Sequence, residues 1–458
     1  MRTLPLFVLI PILACADDAP DDARDSGGAS AGIGSVTAAT EGGSDSTGAP
    51  SSAADAVSDD DSSGDVDDPT AADSSGGGPK FDIGDNADTA SPCAEGDGGG
   101  TPTFSYIWIA NTSEGTVSKI NTQTGAEQGR YRTAETAADS PSRTSVNQFG
   151  DVLVGNRNGG GAATKIAAVE DRCIEKNGIP GIQTSTGAMD VMPYLEDECV
   201  IWSVPLPIVD HGPRGIAWEG GEIDPETCSN TVPNPRVWVS FGGSPEDVYR
   251  LDGDTGAILD HVSFPAQGGR IYGGAVDADG NLWYVNRGAN HLARIDALTL
   301  QRQSWEIPNV PYGMGVDSDG DPWVVSYNDG PTDRVYRFDV ATQMFVDAGG
   351  GLGRYRGMNL DRQGRVWVAG NSPCRLAVFD AQTDTVINDD IALAGCTTPV
   401  GVSIDFEGFV WVVDQNGTAF KVNPMDYSIA LTVTGLVGPY TYSDMTGAGL
   451  DLVVNPPG

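Results

Sequence analysis

The sequence predicts an all-β fold: a β-propeller of seven four-stranded blades, closed into a ring by its C-terminal strand and preceded by a disordered acidic tether. Two observations predict it. Tryptophan recurs at Trp238, Trp283, Trp323, Trp367 and Trp411, at steps of 45, 40, 44 and 44 residues, and Trp108 and Leu153 lie a further 45 apart upstream. Around each lies a copy of one strand–turn–strand unit, clearest in Gly313-Met-Gly-Val-Asp-Ser-Asp-Gly-Asp-Pro-Trp-Val-Val325. A unit repeated every 40 to 45 or so residues is the length of a propeller blade. Within each copy, apolar and small residues alternate with period two between Asp/Gly turns, which is the pattern of strands and not helices.

Residues 1–14 read as a lipoprotein signal peptide. Arg2 supplies a positive start, and Leu4–Leu13 is apolar but too short to span a bilayer as a mature helix. Ile12-Leu13-Ala14-Cys15 resembles the bacterial lipobox, so Cys15 is the expected site of acylation. Residues 15–100 then form the tether. Residues 16–100 hold 20 acidic residues against Arg24 and Lys80, with Phe81 the one aromatic. That composition cannot offset the entropy of ordering the chain. As a coil it spans roughly 50 Å, and more with charge repulsion. The expected location is the outer membrane or cell surface of a bacterium, with the lipid as the one membrane attachment.

Residues 101–458 form the propeller domain. They carry 44 acidic and 23 basic residues, and the whole chain has a net charge of −38. So acidic a protein repels phosphate backbones, which excludes nucleic acid as a partner. Setting Cys15 aside, Cys93, Cys173, Cys199, Cys228, Cys374 and Cys396 remain, an even number that fits disulfides in an oxidising compartment. Cys374 and Cys396 fall in one repeat and are paired. Connectivity among the others stays open, including a bond from Cys93 to one of the remaining three. The spacings resemble no compact zinc motif.

A late repeat shows the logic of the unit. Tyr312–Asp317 alternates small and apolar residues, suiting an innermost strand crowded about an axis; Ser318-Asp-Gly320 turns the chain. Trp323–Ser326, Arg334–Asp339 and Met344–Val346 give the second, third and fourth strands. The Asp or Asn ending each third strand is placed to cap the following turn. The tryptophans are expected to pack between blades. The first repeat lacks an inner strand, and Tyr440–Gly447 resembles one, so residues near 441–452 are expected beside 106–110. Closure there removes an exposed sheet edge. Six or eight blades remain open, because a Cys-rich insert near 167–235 breaks the period. Within it, Cys199–Val204 is expected to supply the outer strand of the second blade, while the rest forms long loops suited to binding or to decoration.

The short Asp-x-x-Gly turns repeat on one face, so variation is concentrated on the other. Residues at the start of each first strand should ring that mouth: Arg143 or Thr144, Arg214, Tyr272, Tyr312, Arg356, Val400 and Tyr442. Arg214, Tyr272, Tyr312 and Arg356 each precede a glycine, which allows close backbone approach near the axis. The second-to-third-strand turns add Arg157, Asn286, Arg287 and Asn328. Arginine forks suit carboxylate, sulfate or phosphate, and tyrosines stack on flat or sugar-like faces. For chemistry, His211 and His291 are expected to face the same mouth, with Glu306 or Asp210 as a partner; His261 sits in an outer-strand pattern.

The repeat resembles that of NHL and virginiamycin B lyase-like propellers over roughly residues 104–455, in Tyr312-Gly313…Asp317-Ser-Asp-Gly320-Asp-Pro-Trp323 and Gly274-Ala-Val-Asp277-Ala-Asp-Gly280-Asn-Leu-Trp283. The acidic leash is similar to those of bacterial surface lipoproteins. The lyase resemblance implies elimination by a histidine base with a magnesium ion held by acidic side chains. The lyase's histidine-containing motif does not recur cleanly, and His291 in Asn286–Asp296, with Glu306 one strand later, is the nearest stand-in. Two expectations follow. One is a monomeric, lipid-anchored propeller that binds a surface polymer, peptide or protein at the Arg/Tyr mouth. The other is a metal-assisted lyase or hydrolase using His291 or His211, with Mg or Ca as its ion.

Overall fold

The computed structural model describes residues 105–457, apart from 159–160, 209–210, 222–234, 266–267, 328–332 and 352. The expectations for Cys15, the tether, Cys93, Cys228, Asp210 and Asn328 lie outside the described residues. Seven antiparallel sheets form the blades of a propeller. Blade one has three strands, Tyr106–Asn111, Thr116–Asn121 and Glu127–Arg132. Blade two runs Pro141–Val146, Val152–Asn156, Ala162–Ile166 and Val200–Pro205. Its outer strand comes from the insert, as the pattern after Cys199 predicts. Blade three is Gly215–Trp218, Arg236–Gly242, Glu246–Asp252 and Ile258–Phe264. Blade four is Arg270–Val276, Leu282–Arg287, His291–Ile295 and Arg302–Glu306. Blades five and six begin at Pro311–Val316 and Arg354–Leu360, and blade seven at Pro399–Ile404.

The repeat motif has a physical account. In blades four to seven, the turn aspartate accepts the indole N–H of the tryptophan six residues on: Trp283 to Asp277 at 2.9 Å, Trp323 to Asp317 at 2.8 Å, Trp367 to Asp361 at 2.7 Å and Trp411 to Asp405 at 2.9 Å. All four indoles are buried. In all four blades the other aspartate oxygen accepts turn amides, as Asp277 does from Asp279 and Asn281 and Asp317 from Asp319 and Asp321. Opposite Trp108, Trp238, Trp323 and Trp411 in register stand Lys119, Arg250, Arg337 and Lys421. These cations bridge blades. Lys119 reaches Ala168 O, Arg250 reaches Ala297 O, Arg337 reaches Asp384, and Lys421 reaches Thr122 O. The third-strand Asp or Asn caps its turn as expected; Asp339, for one, accepts Thr342 N at 2.7 Å.

Closure is made where the sequence places it. Trp108 N donates to Met445 O at 2.9 Å, so the C-terminal segment lies beside the first strand of blade one. The inner-strand glycines show how tightly the ring is drawn. A Cβ added to Gly313 would meet Arg356 O at 2.3 Å, on Gly357 Val400 O at 2.5 Å, and on Gly401 Thr441 O at 2.0 Å. Blades five and six therefore each abut the next blade at a glycine, and blade seven abuts the tail.

The end of the tail departs from the strand reading. Ala448–Val454 is an α-helix packed against the inner strands of blades four to seven. Asp444 caps it, accepting Gly447 N at 2.8 Å and Leu450 N at 3.1 Å. Leu450, Leu452 and Val453 are buried. They cork the Asp-turn end of the channel, where a cavity of about 40 Å³ is lined by Trp218, Val276, Leu360, Asp444 and Leu450 among others. Burying these apolar side chains on the axis outweighs a further strand that would have no neighbour to pair with.

The disulfides are Cys374–Cys396, as paired from the sequence, and Cys173–Cys199, which ties the base of the insert. Among the described residues no helix is long and apolar enough to cross a membrane.

Candidate functional site: an arginine and tyrosine mouth

At the opposite end of the channel the predicted ring residues converge. Tyr272, Tyr312 and the tail's Tyr440 and Tyr442 form one aromatic tier. Ring centroids are 4.7 Å apart for Tyr272–Tyr312, 4.9 Å for Tyr312–Tyr442, 5.7 Å for Tyr272–Tyr442 and 5.6 Å for Tyr440–Tyr442. Tyr327 joins at 5.1 Å from Tyr312. The hydroxyls of Tyr272 and Tyr312 both meet that of Tyr440, the first at 3.1 Å. The tier fills the channel: all four leading tyrosines are buried. The mouth is thus plugged by an aromatic tier, where the sequence suggested only a rim.

Guanidinium groups surround this floor. Those of Arg143, Arg214, Arg270 and Arg287 lie 5.2, 4.9, 5.6 and 5.4 Å from the Tyr272 ring centroid. Arg143 also lies 3.2 Å from the centroid of Tyr442. Arg287 stands 5.4 Å from Tyr312 and 4.9 Å from Tyr327, Arg356 is 5.3 Å from Tyr327, and Arg157 is 4.7 Å from Tyr440. Such cation–π contacts are worth about 0.5–2 kcal/mol each, the larger values applying when they are desolvated. They help to hold the guanidinium groups against the aromatic tier.

Arg143, Arg214 and Arg356 are 0%, 2% and 1% exposed, so three positive charges are buried near one axis. Arg143 donates from Nε to Tyr272 O at 3.2 Å and from Nη1 to Ser142 O at 3.2 Å. Its Nη2 and the Tyr442 hydroxyl are buried without a hydrogen-bond partner among the described residues. Burial, then the charge of Arg214, pushes the Arg143 guanidinium down to about 9, still protonated at neutral pH. Burial would push the Tyr272 phenol up. Arg214, Arg287, Arg143 and Arg270 outweigh it and bring the phenol down to about 7. The Tyr272 direction reports positive charge gathered around its ring, inside a protein whose net charge is −38.

Asn286 is not part of the aromatic tier. It is buried and donates to Glu246 and to Gly268 O. Glu246 is the centre of a polar cluster between blades three and four that the sequence reading did not find. Its carboxylate accepts Tyr284 Oη at 2.9 Å and contacts Arg302 Nη1, and His291 Nε2 lies 2.9 Å from its Oε1. Burial raises the Glu246 carboxyl, but His291, Asn286 and Tyr284 outweigh that and leave it below the ordinary value. His291 is therefore engaged with Glu246, while Glu306, its cross-strand neighbour, is exposed to solvent. His211 precedes Arg214 at the mouth, and its carbonyl accepts Gly242 N at 2.7 Å. His261 is on the outer strand of blade three, stacked on Tyr249 at 4.0 Å and bonded to Asp247 at 2.9 Å. Among the described residues no three His, Cys, Asp or Glu side chains are grouped to hold a metal.

The comparisons with known proteins agree on architecture. No family model matches the sequence, and no curated protein matches it. Among solved structures, a structural-genomics protein from Lactobacillus plantarum is similar over 73% of this chain and 97% of its own, at 13% identity and a TM-score of 0.51. A functionally unknown protein from Desulfotomaculum acetoxidans is similar over 74% and 98%, at 10% identity and a TM-score of 0.51. A streptogramin B lyase is similar over 68% and 87%, at 17% identity and a TM-score of 0.49. At these identities the likeness establishes the fold and nothing finer. The chain is a seven-bladed β-propeller with virginiamycin B lyase-like propellers among its structural neighbours.

Proposed function

We propose that the protein is a lipid-anchored, extracytoplasmic binding propeller whose mouth captures an anionic group of a surface polymer, peptide or protein partner. The observation that carries this reading is Arg143. It is a fully buried guanidinium with a free Nη2 and with no carboxylate in ion-pair reach among the described residues. A buried charge left that way costs several kcal/mol, and an arriving anion removes the cost. Aromatic floor and guanidinium walls together select carboxylate, sulfate or phosphate groups, including those on acidic sugars. The Glu246–His291 cluster is a packed inter-blade joint, which argues against His291 as the base of the elimination reading.

The test is calorimetric titration and thermal unfolding of the full chain with sulfate, phosphate, citrate and acidic oligosaccharides, against chloride at matched ionic strength. Binding should weaken on raising salt, and Arg214→Ala with Arg287→Ala should weaken it at least about tenfold, the loss of one charge-assisted hydrogen bond. Anions that bind the double variant as well as the parent would sink the assignment. Radiolabelled fatty acid that enters the parent but not a Cys15→Ser variant would support the anchor; equal labelling would refute it.

A further inference from the structure

The connection between the third and fourth strands of blade two departs from the repeat and takes no part in the mouth. It leaves from the Asp-turn end, opposite the arginines. Its backbone is held from within. Asp197 and Glu198 are buried and accept amides from across the loop: Asp197 those of Ser185 at 2.8 Å and Cys199 at 2.9 Å, Glu198 those of Lys176 at 3.0 Å and Gln183 at 2.7 Å. Lys176 Nζ donates to the carbonyls of Leu195, Asp197 and Val200 at 3.2, 2.6 and 2.6 Å. The Cys173–Cys199 bond closes the base. Ala188 N donates to Glu127 of blade one at 3.0 Å, and Tyr194 Oη to Ser203 of blade two at 2.6 Å. A loop fixed by a satisfied polar network of this kind presents one shape at its surface.

That surface is apolar where a merely solvated loop would be polar. Of the fourteen large apolar side chains exposed among the described residues, four lie on this connection: Ile174, Ile179, Leu195 and, at 98% exposure, Met189. Lys176 gathers three of them, since it stands between Ile174 and Ile179 in the chain and bonds the Leu195 carbonyl. Leu195 also has a φ of 63°, a left-handed conformation that asparagine or glycine adopts with less strain. On the same connection Glu170, Asp171, Glu175, Asp190 and Glu196 are exposed, and none is in an ion pair among the described residues. Its two cations are engaged, Lys176 with the three carbonyls and Arg172 with Asp151 at 2.7 Å. We propose that residues 174–196 are a docking loop for a partner protein whose contact surface is apolar and bordered by lysine or arginine. Apolar contact supplies the affinity, and the carboxylates select the sign of the partner's charge. A second copy would bring like carboxylates together, and an anionic lipid surface would be repelled. The proposal is independent of what the mouth binds.

The test uses the full chain and a synthetic amphipathic helical peptide of leucine and lysine. One comparator has serine in place of leucine, and another has glutamate in place of lysine. Fluorescence anisotropy should show the leucine–lysine peptide binding at least about tenfold more tightly than either comparator. Ile179→Ser with Met189→Ser should weaken it by at least about tenfold. Leu298→Ser, which alters a side chain 92% exposed on blade four, should not. Asp171→Asn with Glu196→Gln should flatten the salt dependence. Leu195→Asn separates docking from folding: the unfolding midpoint should hold or rise as strain is relieved, while affinity falls. A lysine–serine peptide bound as tightly as the leucine–lysine one, or equal binding by parent and Ile179→Ser with Met189→Ser, would overturn the proposal. So would transfer of the parent to phosphatidylcholine vesicles, or a dimer in sedimentation, if the same pair of substitutions abolished it. The occupant would then be a lipid surface or a second copy.

Discussion

Asp317→Asn tests whether the repeated turn aspartates are kept for their geometry despite the cost of burying their charge. One Asp317 oxygen accepts the Asp319 and Asp321 amides at 3.0 and 2.9 Å, and the other accepts Trp323 Nε1 at 2.8 Å. Burial nevertheless pushes the carboxyl up from 3.8 to about 6, with the Trp323 N–H opposing. A carboxyl raised on folding contributes stability that is fully present below its unfolded value and is lost as pH rises through the folded one. The window is therefore about pH 4 to 6, and the difference corresponds to about 3 kcal/mol. Asparagine has the shape of the protonated acid and does not titrate. Relative to the parent, Asp317→Asn should gain about 2–3 kcal/mol between about pH 4 and pH 8, because all other titrating groups are common to both proteins. Guanidinium chloride unfolding of the full chain, followed by tryptophan fluorescence at the two pH values, measures this difference. A parent-to-variant difference that does not change with pH would refute the reasoning.

Other perturbations separate the joints of the ring from its mouth. Glu246→Ala should destabilise the fold by about 3–5 kcal/mol, since it strands Arg302 and His291 in a buried joint, while sulfate affinity in the folded protein stays within about twofold. Chemical unfolding and calorimetry read the two effects. Gly401→Ala drives a Cβ to 2.0 Å from Thr441 O, so it should cost about 1–3 kcal/mol and loosen the tail, whereas Gly408→Ala meets no neighbouring atom and strains only its own turn. Hydrogen exchange at Trp108 and Met445 should rise in the first variant and not in the second.

The sequence carried the fold because the repeat is enforced by local chemistry. Asp at the first turn, Gly at its end and Trp six residues on are joined by short-range hydrogen bonds, and the cations facing the tryptophans in register belong to the same unit. Closure was legible for the same reason: Tyr440–Gly447 repeats an inner-strand pattern. The helix at 448–454 was not, because its apolar face is dictated by the corked channel and by the Asp444 cap, not by any repeated spacing. The mouth was half legible. Arg214, Tyr272, Tyr312, Arg356 and Tyr442 sit at equivalent places in successive units, so the ring brings them together. Tyr440 and Tyr327 complete the floor from outside that register. Glu246 gave no signal, since a lone acid after Ser244-Pro245 acquires its meaning from His291 and Arg302 on the neighbouring blade. Asn286, read as a mouth residue from its turn position, faces that carboxylate instead.

Crystals of the full chain grown with selenate, located by anomalous scattering, would examine the mouth most directly. The prediction is a selenate over the tyrosine floor, in contact with Arg143 and with Arg214 or Arg287. Selenate ordered elsewhere while the mouth holds only the protein's own carboxylates, or arginines that point to separate surfaces, would contradict it.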